Sequence, residues 1–212
     1  MELILKAWTE PQPFGWQGRH FQYRTVSVWP RPLQQPHPPT YALGTSRESC
    51  EFVARHRLGC GVSYGSFEAV GRATRYYREQ CALHGWQPSP EQIIYRANML
   101  LADTDEDAQE RLAQLPKQAP FSMRAGVRDA LMTLDSRNIA GQARSPITIG
   151  ALPTTFVGGP DTVVEQVRRC REVVGAGVLD LSLHPPGSGD VDALMRSLDL
   201  FGTKVLPRIR EI

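Results

Sequence analysis

The sequence predicts an α/β fold built on a parallel β-sheet, and three observations lead to that prediction. Short apolar runs near residues 40–44, 60–64, 93–100 and 178–183 alternate with segments of helical periodicity. The runs are apolar on both faces, which is typical of strands in a parallel sheet. No GxGxxG follows any run, which argues against a dinucleotide-binding fold. Four such β/α units make half of an eight-unit barrel, although a doubly wound sheet also fits.

The first 39 residues precede this alternation. Met1–Trp8 places Leu3, Ile4 and Ala7 on one helical face and is too short to be a stable helix alone, so we expect it to be the end of a longer one. The residues that follow are rich in proline, which predicts an extended loop. Within this loop, Phe21–Val28 is predicted as a short strand of an edge hairpin.

From residue 40 the elements follow in order. The predicted strands and helices are a strand at 40–44, a helix at 48–57 capped by Thr45 and Ser46, a strand at 59–64, a helix at 66–84 ended by Gly85, a strand at 92–101, a helix capped by Thr104 and running to about residue 115, a helix from Asp161 or Thr162 to Val174, a strand at 178–183 and a closing helix at 190–210. We therefore predict one partial barrel domain, 1–212. Its parts are a helix end and proline-rich loop (1–39), three β/α units (40–115), an irregular insertion that includes a helix at 127–134 (116–150), and a last helix–strand–helix unit (151–212).

Composition excludes several classes of function. The 212 residues carry a net charge of +2 with no Lys/Arg-rich stretch, so nucleic acid is not an expected partner. No run of about 18 apolar residues and no signal-peptide pattern occurs, which predicts a cytoplasmic protein without a membrane span. Cys50, Cys60, Cys81 and Cys170 form no CxxC pair, and we expect them to be reduced and mostly buried. No metal site is expected, since the histidines lack ligand spacing.

Several segments together resemble one family. The chain carries P-x-P-x-Q-x-P-x-P-P within Trp29–Tyr41, a turn at Gly44–Ser49, V-G-G-P-D-T-V at Val157–Val163, G-V-L-D at Gly177–Asp180 and L-F-x-x-x-V-x-P at Leu200–Pro207. In this order and spacing they resemble the luciferase-like flavin monooxygenases. The resemblance covers nearly the whole chain, less securely residues 116–150. One departure is Gly159, where Thr or Ser is usual.

The resemblance implies the C-terminal half of a (β/α)8 barrel, beginning before its fifth strand. It also implies a monooxygenase that uses reduced FMN, supplied by a separate flavin reductase, and O2 to oxidise a small organic substrate. An F420-dependent oxidoreductase of the same superfamily is the alternative enzyme, and a non-catalytic half-barrel remnant or subunit is the alternative outside catalysis. We expect either a homo-oligomer or an N-terminal half supplied from elsewhere.

The hydroxyl-rich turn after the first strand is the main candidate site. Thr45, Ser46 and Ser49 lie at a strand-to-helix junction, where hydroxyls and backbone N–H groups bind anions well. By resemblance they bind the 5′-phosphate of FMN. The alternative is ordinary helix capping.

Three further residues follow from barrel geometry and the resemblance. Tyr64 ends the second strand, where the family often has an aromatic against the flavin, and Gly61 allows close approach of the ring. The alternative for Tyr64 is a rim aromatic with a satisfied hydroxyl. His184 follows the last strand and is a candidate general acid or base, with a plain loop histidine as the alternative. We expect Tyr64, His184 and the hydroxyl turn to lie together at the carboxyl ends of the strands.

Overall fold

A computed structural model describes residues 1–63, 65–115, 154–183 and 190–212. The chain divides into two compact units, Met1–Thr40 and Tyr41–Ile212. The helix predicted at 127–134 lies outside the described residues.

The first unit consists of a helix and a hairpin. Helix α1 spans Glu2–Thr9, and strands β1 (Phe14–Gln17) and β2 (Gln22–Val26) pair antiparallel. The predicted hairpin strand is therefore confirmed as β2. The proline-rich residues 27–40 that follow contain neither helix nor strand, as expected from the missing N–H donors and fixed φ of proline.

The second unit alternates strands and helices in the predicted order. Its elements are β3 (Tyr41–Leu43), α2 (Arg47–Arg55), β4 (Gly59–Ser63), α3 (Phe67–Leu83), β5 (Ile93–Leu101), α4 (Asp105–Gln114), β6 (Thr154–Gly158), α5 (Pro160–Val174), β7 (Val178–Ser182), α6 (Val191–Leu200) and α7 (Leu206–Ile209). Strand β6 was not predicted as a strand. None of the helices in the described ranges is both long and apolar enough to cross a membrane.

Helix boundaries follow the capping residues. The side chains of Ser46, Ser66 and Thr104 each accept a hydrogen bond from the backbone N–H three residues later, which confirms the predicted helix starts. The closing helix differs from the prediction of one continuous helix, because a π-helical turn at Phe201–Val205 separates α6 from α7. Pro207 provides the physical reason: it has no N–H to donate to the preceding turn.

The parallel sheet has the predicted strand order. Strand β3 pairs with β4, β4 with β5, and β5 with β7, all in parallel. Strands β4 and β7 lie on opposite edges of β5, since both pair with the same stretch of it. The additional strand β6 pairs in parallel with the carboxyl end of β5, from Asn98 to Leu101. The predicted α/β class with a parallel sheet is confirmed.

Helices cover one face of this sheet. Cys60, Val62 and Tyr95 alternate onto that face and are buried, and the Phe67 ring at the start of α3 contacts the Tyr95 ring with centroids 5.8 Å apart. The buried Tyr95 hydroxyl donates to the Gly65 carbonyl at 2.7 Å, so its polar atom is satisfied. Gly71 permits close packing of α3 on α5, because a Cβ there would lie 2.8 Å from the Val173 carbonyl oxygen.

All four cysteines are free thiols and buried, which confirms that prediction. Burial is the main cause that raises the pKa of Cys81 to about 11 and the pKa of Cys170 to about 12. Both therefore remain protonated near neutral pH and act as small apolar core residues rather than nucleophiles.

Candidate functional site

The turn after β3 is closed by its own hydroxyl groups. The Ser49 Oγ accepts from the backbone N–H of Ser46 at 2.9 Å and of Thr45 at 3.1 Å, and it donates to the Ser46 carbonyl at 3.0 Å. The Ser46 Oγ accepts from the Ser49 backbone N–H at 3.2 Å. This reciprocal arrangement fixes the start of α2, where the first N–H groups of a helix lack intrahelical acceptors. The structure therefore brings Thr45, Ser46 and Ser49 together.

The other predicted residues have different outcomes. Tyr64 and His184 lie outside the described residues, so their grouping with the turn stays a prediction. The strands that precede them, β4 and β7, are parallel to β3 and end at the same edge of the sheet. Strand β7 is three strand spacings from β3, or about 14 Å at about 4.8 Å per spacing.

Gly61 lies in β4 opposite Leu43 of β3 and Ile94 of β5. A Cβ at Gly61 would meet its nearest neighbour, Leu43 Cδ2, at 3.5 Å, which is ordinary van der Waals contact. Protein packing thus does not require glycine at this position. Because Gly61 has no side chain, the sheet surface is recessed beside Leu43. Close approach of a planar ring to the sheet requires such a recess.

The face of the sheet away from the helices, here called the inner face, changes from apolar to polar toward its carboxyl edge. Register partners in a parallel sheet share a face. One level is formed by Leu43, Gly61, Ile94 and Val178, the next by Ser63, Arg96 and Asp180, and the last by Asn98 and Ser182. Polar groups on the inner face therefore lie nearest the edge that carries the hydroxyl turn.

An ion pair on the inner face was not predicted from the sequence. The Arg96 guanidinium lies 3.4 Å from the Asp180 carboxylate, and the two side chains are 56% and 52% exposed. Their occurrence inside otherwise apolar strands is the signal that would have revealed them, because buried strands rarely carry charge. The pair offers a bound molecule both hydrogen-bond donors and acceptors.

A second turn, between β6 and α5, is held by an acidic side chain from α4. The Asp105 carboxylate accepts from the Gly159 backbone N–H at 2.6 Å and from the Thr162 hydroxyl at 2.7 Å. These hydrogen bonds, the Gly159 N–H first, lower the pKa of Asp105. At Gly159, where the resemblance expects Thr or Ser, the backbone N–H is therefore satisfied by Asp105.

This contact predicts a pH-dependent loss of stability in Asp105→Asn. The folded-state pKa lies below the unfolded value of about 3.9, so the carboxylate stabilises the fold above that pH and stops doing so as pH falls through the folded value. We expect Asp105→Asn to lower the urea midpoint at pH 7, and the difference from wild type to shrink below about pH 4. Glu106→Gln, in the same helical turn, is the matched control for loss of charge at the helix N-terminus. An Asp105→Asn deficit that is constant across this pH range would contradict the assignment.

The described ranges contain no group of three or more His, Cys, Asp or Glu side chains that could hold a metal ion.

Comparison with known proteins places these features in a family. A sequence profile described as luciferase-like monooxygenase matches residues 1–177. An FMNH2-dependent dimethylsulfone monooxygenase from Pseudomonas putida is 22% identical over 97% of this chain, and the chain spans 55% of that relative's length.

Solved structures give the same fold. Monooxygenase RslO1 from Streptomyces bottropensis matches with a TM-score of 0.69 and 23% identity, over 97% of this chain and 58% of that one. The oxygenating constituent of 3,6-diketocamphane monooxygenase from the Pseudomonas putida CAM plasmid, solved with FMN, matches with a TM-score of 0.66 and 18% identity, over 98% and 61%. A coenzyme F420-dependent tetrahydromethanopterin reductase from Methanopyrus kandleri matches with a TM-score of 0.64 and 15% identity, over 98% and 61%.

Proposed function

Because this chain belongs to the luciferase-like monooxygenase family, we propose that it forms the part of a flavin-dependent monooxygenase that binds FMN. The chain spans 55% of the length of the dimethylsulfone monooxygenase it matches, and the activity of the complete enzyme is therefore part of what we propose. The substrate is a small organic molecule, O2 is the co-substrate, and a separate flavin reductase supplies reduced FMN.

One observation carries the proposal: the hydroxyl turn lies at the same sheet edge as the polar end of the inner face. Ser46 and Ser49 carry hydroxyls at the N-terminus of α2, and these hydroxyls would exchange their mutual hydrogen bonds for hydrogen bonds to a phosphate. Gly61 lies two residues before the carboxyl end of β4 and leaves space for a flat ring between apolar neighbours. A ligand with an anionic end and a planar aromatic end, such as FMN, fits that sequence of surfaces.

The residues of this chain would bind the flavin, orient the substrate and exclude water from the flavin ring. When bound, reduced FMN supplies the electrons for the reaction of O2 with the substrate. Ser46 and Ser49 would donate hydrogen bonds to the phosphate, and Leu43 and Ile94 would exclude water from the ring. The Arg96–Asp180 pair would orient polar groups of the substrate, and His184 remains the candidate general acid or base.

F420 is the second candidate cofactor, because an F420-dependent reductase shares this fold. F420 also joins a flat ring to a phosphate-bearing chain, so the same turn and inner face would serve it. Parallel titrations with FMN and F420 decide between them.

The phosphate assignment is tested by comparing FMN with riboflavin, which lacks the phosphate. We expect the wild-type chain to bind FMN more tightly than riboflavin, and Ser46→Ala to reduce that preference about tenfold, since one hydrogen bond to a charged group contributes about 1.5–3 kcal/mol. Thr104→Ala is the matched control, because Thr104 caps α4 in the same way. Equal binding of FMN and riboflavin, or an equal effect of Thr104→Ala, would show that the turn is only a helix cap.

A further inference from the structure

Arg47 is the cationic side chain that directly follows the hydroxyl turn. It is the first residue of α2, next to the N-cap residue Ser46. A cation in the first turn of a helix faces the positive end of the helix dipole, which favours an anion beside it. The Arg47 guanidinium instead lies over the ring of Tyr76 on α3, 5.2 Å from the ring centroid. A neighbouring helix therefore holds the cation that stands nearest in sequence to the candidate phosphate site.

Glu51 completes this cluster on the surface of α2 and α3. The Tyr76 hydroxyl donates a hydrogen bond to the Glu51 carboxylate at 2.8 Å, and this hydrogen bond is the main cause that raises the pKa of Tyr76. Glu51 follows Arg47 by four residues on α2, the spacing at which side chains on a helix are neighbours. Tyr76 thus offers the guanidinium an aromatic face, and Glu51 offers it the opposite charge.

We propose that Tyr76 and Glu51 are positioning residues that compete with the flavin phosphate for Arg47. This inference rests on the proposed function, because it concerns the phosphate end of that site. A guanidinium binds a phosphate through two parallel hydrogen bonds, so Arg47 would strengthen the site if it were released from the cluster. Competition for Arg47 lowers the affinity for FMN and speeds its release. Rapid release suits a flavin that a separate reductase delivers and that must leave again after the reaction.

The contact between Arg47 and Tyr76 sets the size of the effect. A cation–π contact at an exposed side chain changes an equilibrium constant by about two- to fivefold. A phosphate must displace this contact before Arg47 can hydrogen-bond to it, and the affinity for FMN is lowered by the same factor. Riboflavin has no phosphate, so its affinity does not depend on where the Arg47 side chain lies.

Fluorescence titration of the full 212-residue chain with FMN and with riboflavin tests this competition. We expect Tyr76→Leu to raise the preference for FMN over riboflavin by about two- to fivefold, because leucine cannot hold a cation. Tyr76→Phe is the matched control, since it keeps the aromatic face, and its preference is expected to stay closer to that of wild type. In the double variant Arg47→Gln/Tyr76→Leu the gain is expected to disappear. Far-ultraviolet circular dichroism checks that each variant is folded.

Two results would overturn this proposal alone: an unchanged preference in Tyr76→Leu, or a gain that persists when Arg47 is also replaced. In both cases a wild-type preference for FMN would still support the phosphate turn. Equal binding of FMN and riboflavin by the wild-type chain would instead contradict the proposed function, and this inference would fail with it. The two failures are therefore distinguishable.

Discussion

FMN is expected to bind the 212-residue chain weakly, with a dissociation constant above about 1 μM. In the described turn, Ser46 and Ser49 already hydrogen-bond to each other, so a phosphate must compete with the helix cap. The nearby Arg47 guanidinium lies over the Tyr76 ring, 5.2 Å from its centroid, which draws the cation toward α3. The phosphate dianion would be held mainly by hydroxyl and backbone donors.

The size of the effect follows from the donors being neutral hydroxyl and backbone N–H groups. Each hydrogen bond between charged partners contributes about 1.5–3 kcal/mol, so binding is about a hundredfold or more weaker than in a site where two cationic side chains contact the phosphate. Flavin fluorescence titration of the purified chain, with the mass measured on the same sample, provides the check. Sub-micromolar binding by a monomer would contradict this account and place a sufficient flavin site on the single chain.

Gly177→Ala is expected to destabilise the fold through a backbone clash at the start of β7. The Gly177 N–H donates to the Pro90 carbonyl at 2.7 Å, which joins the start of β7 to the turn before β5. A Cβ at Gly177 would lie 2.5 Å from the Pro90 carbonyl carbon and 2.7 Å from the Glu91 nitrogen. Because both are backbone atoms, the start of β7 and the turn before β5 must move apart.

We expect Gly177→Ala to cost about 1–3 kcal/mol, as overpacking does in well-packed sites. For a domain of this size each kcal/mol lowers Tm by about 2–4 °C. Gly202→Ala is the control, because a Cβ there meets nothing within 4 Å, and added helix propensity should leave Tm equal or higher. Thermal unfolding followed by circular dichroism compares them; an unchanged Tm in Gly177→Ala would show that the turn at Pro90 adapts freely.

The element order and the parallel class were predictable because each depends on local signals. Ser46, Ser66 and Thr104 indicate helix starts because their own side chains cap the helices. The apolar runs of β4 and β5 indicate buried strands whichever strands pair with them. The hydroxyl turn of the candidate site was found for the same reason: its residues are adjacent in the chain.

The sequence by itself therefore determined the α/β alternation, the helix caps and the turn at residues 45–49. Only the tertiary structure decided that Thr154–Gly158 is a strand, since its partner is the far end of β5, and that Arg96 meets Asp180 on the inner face. Both depend on the register between segments distant in sequence, and a shift of one residue would turn every side chain to the opposite face. No local pattern fixes that register, because it is set by packing of the whole sheet against its helices.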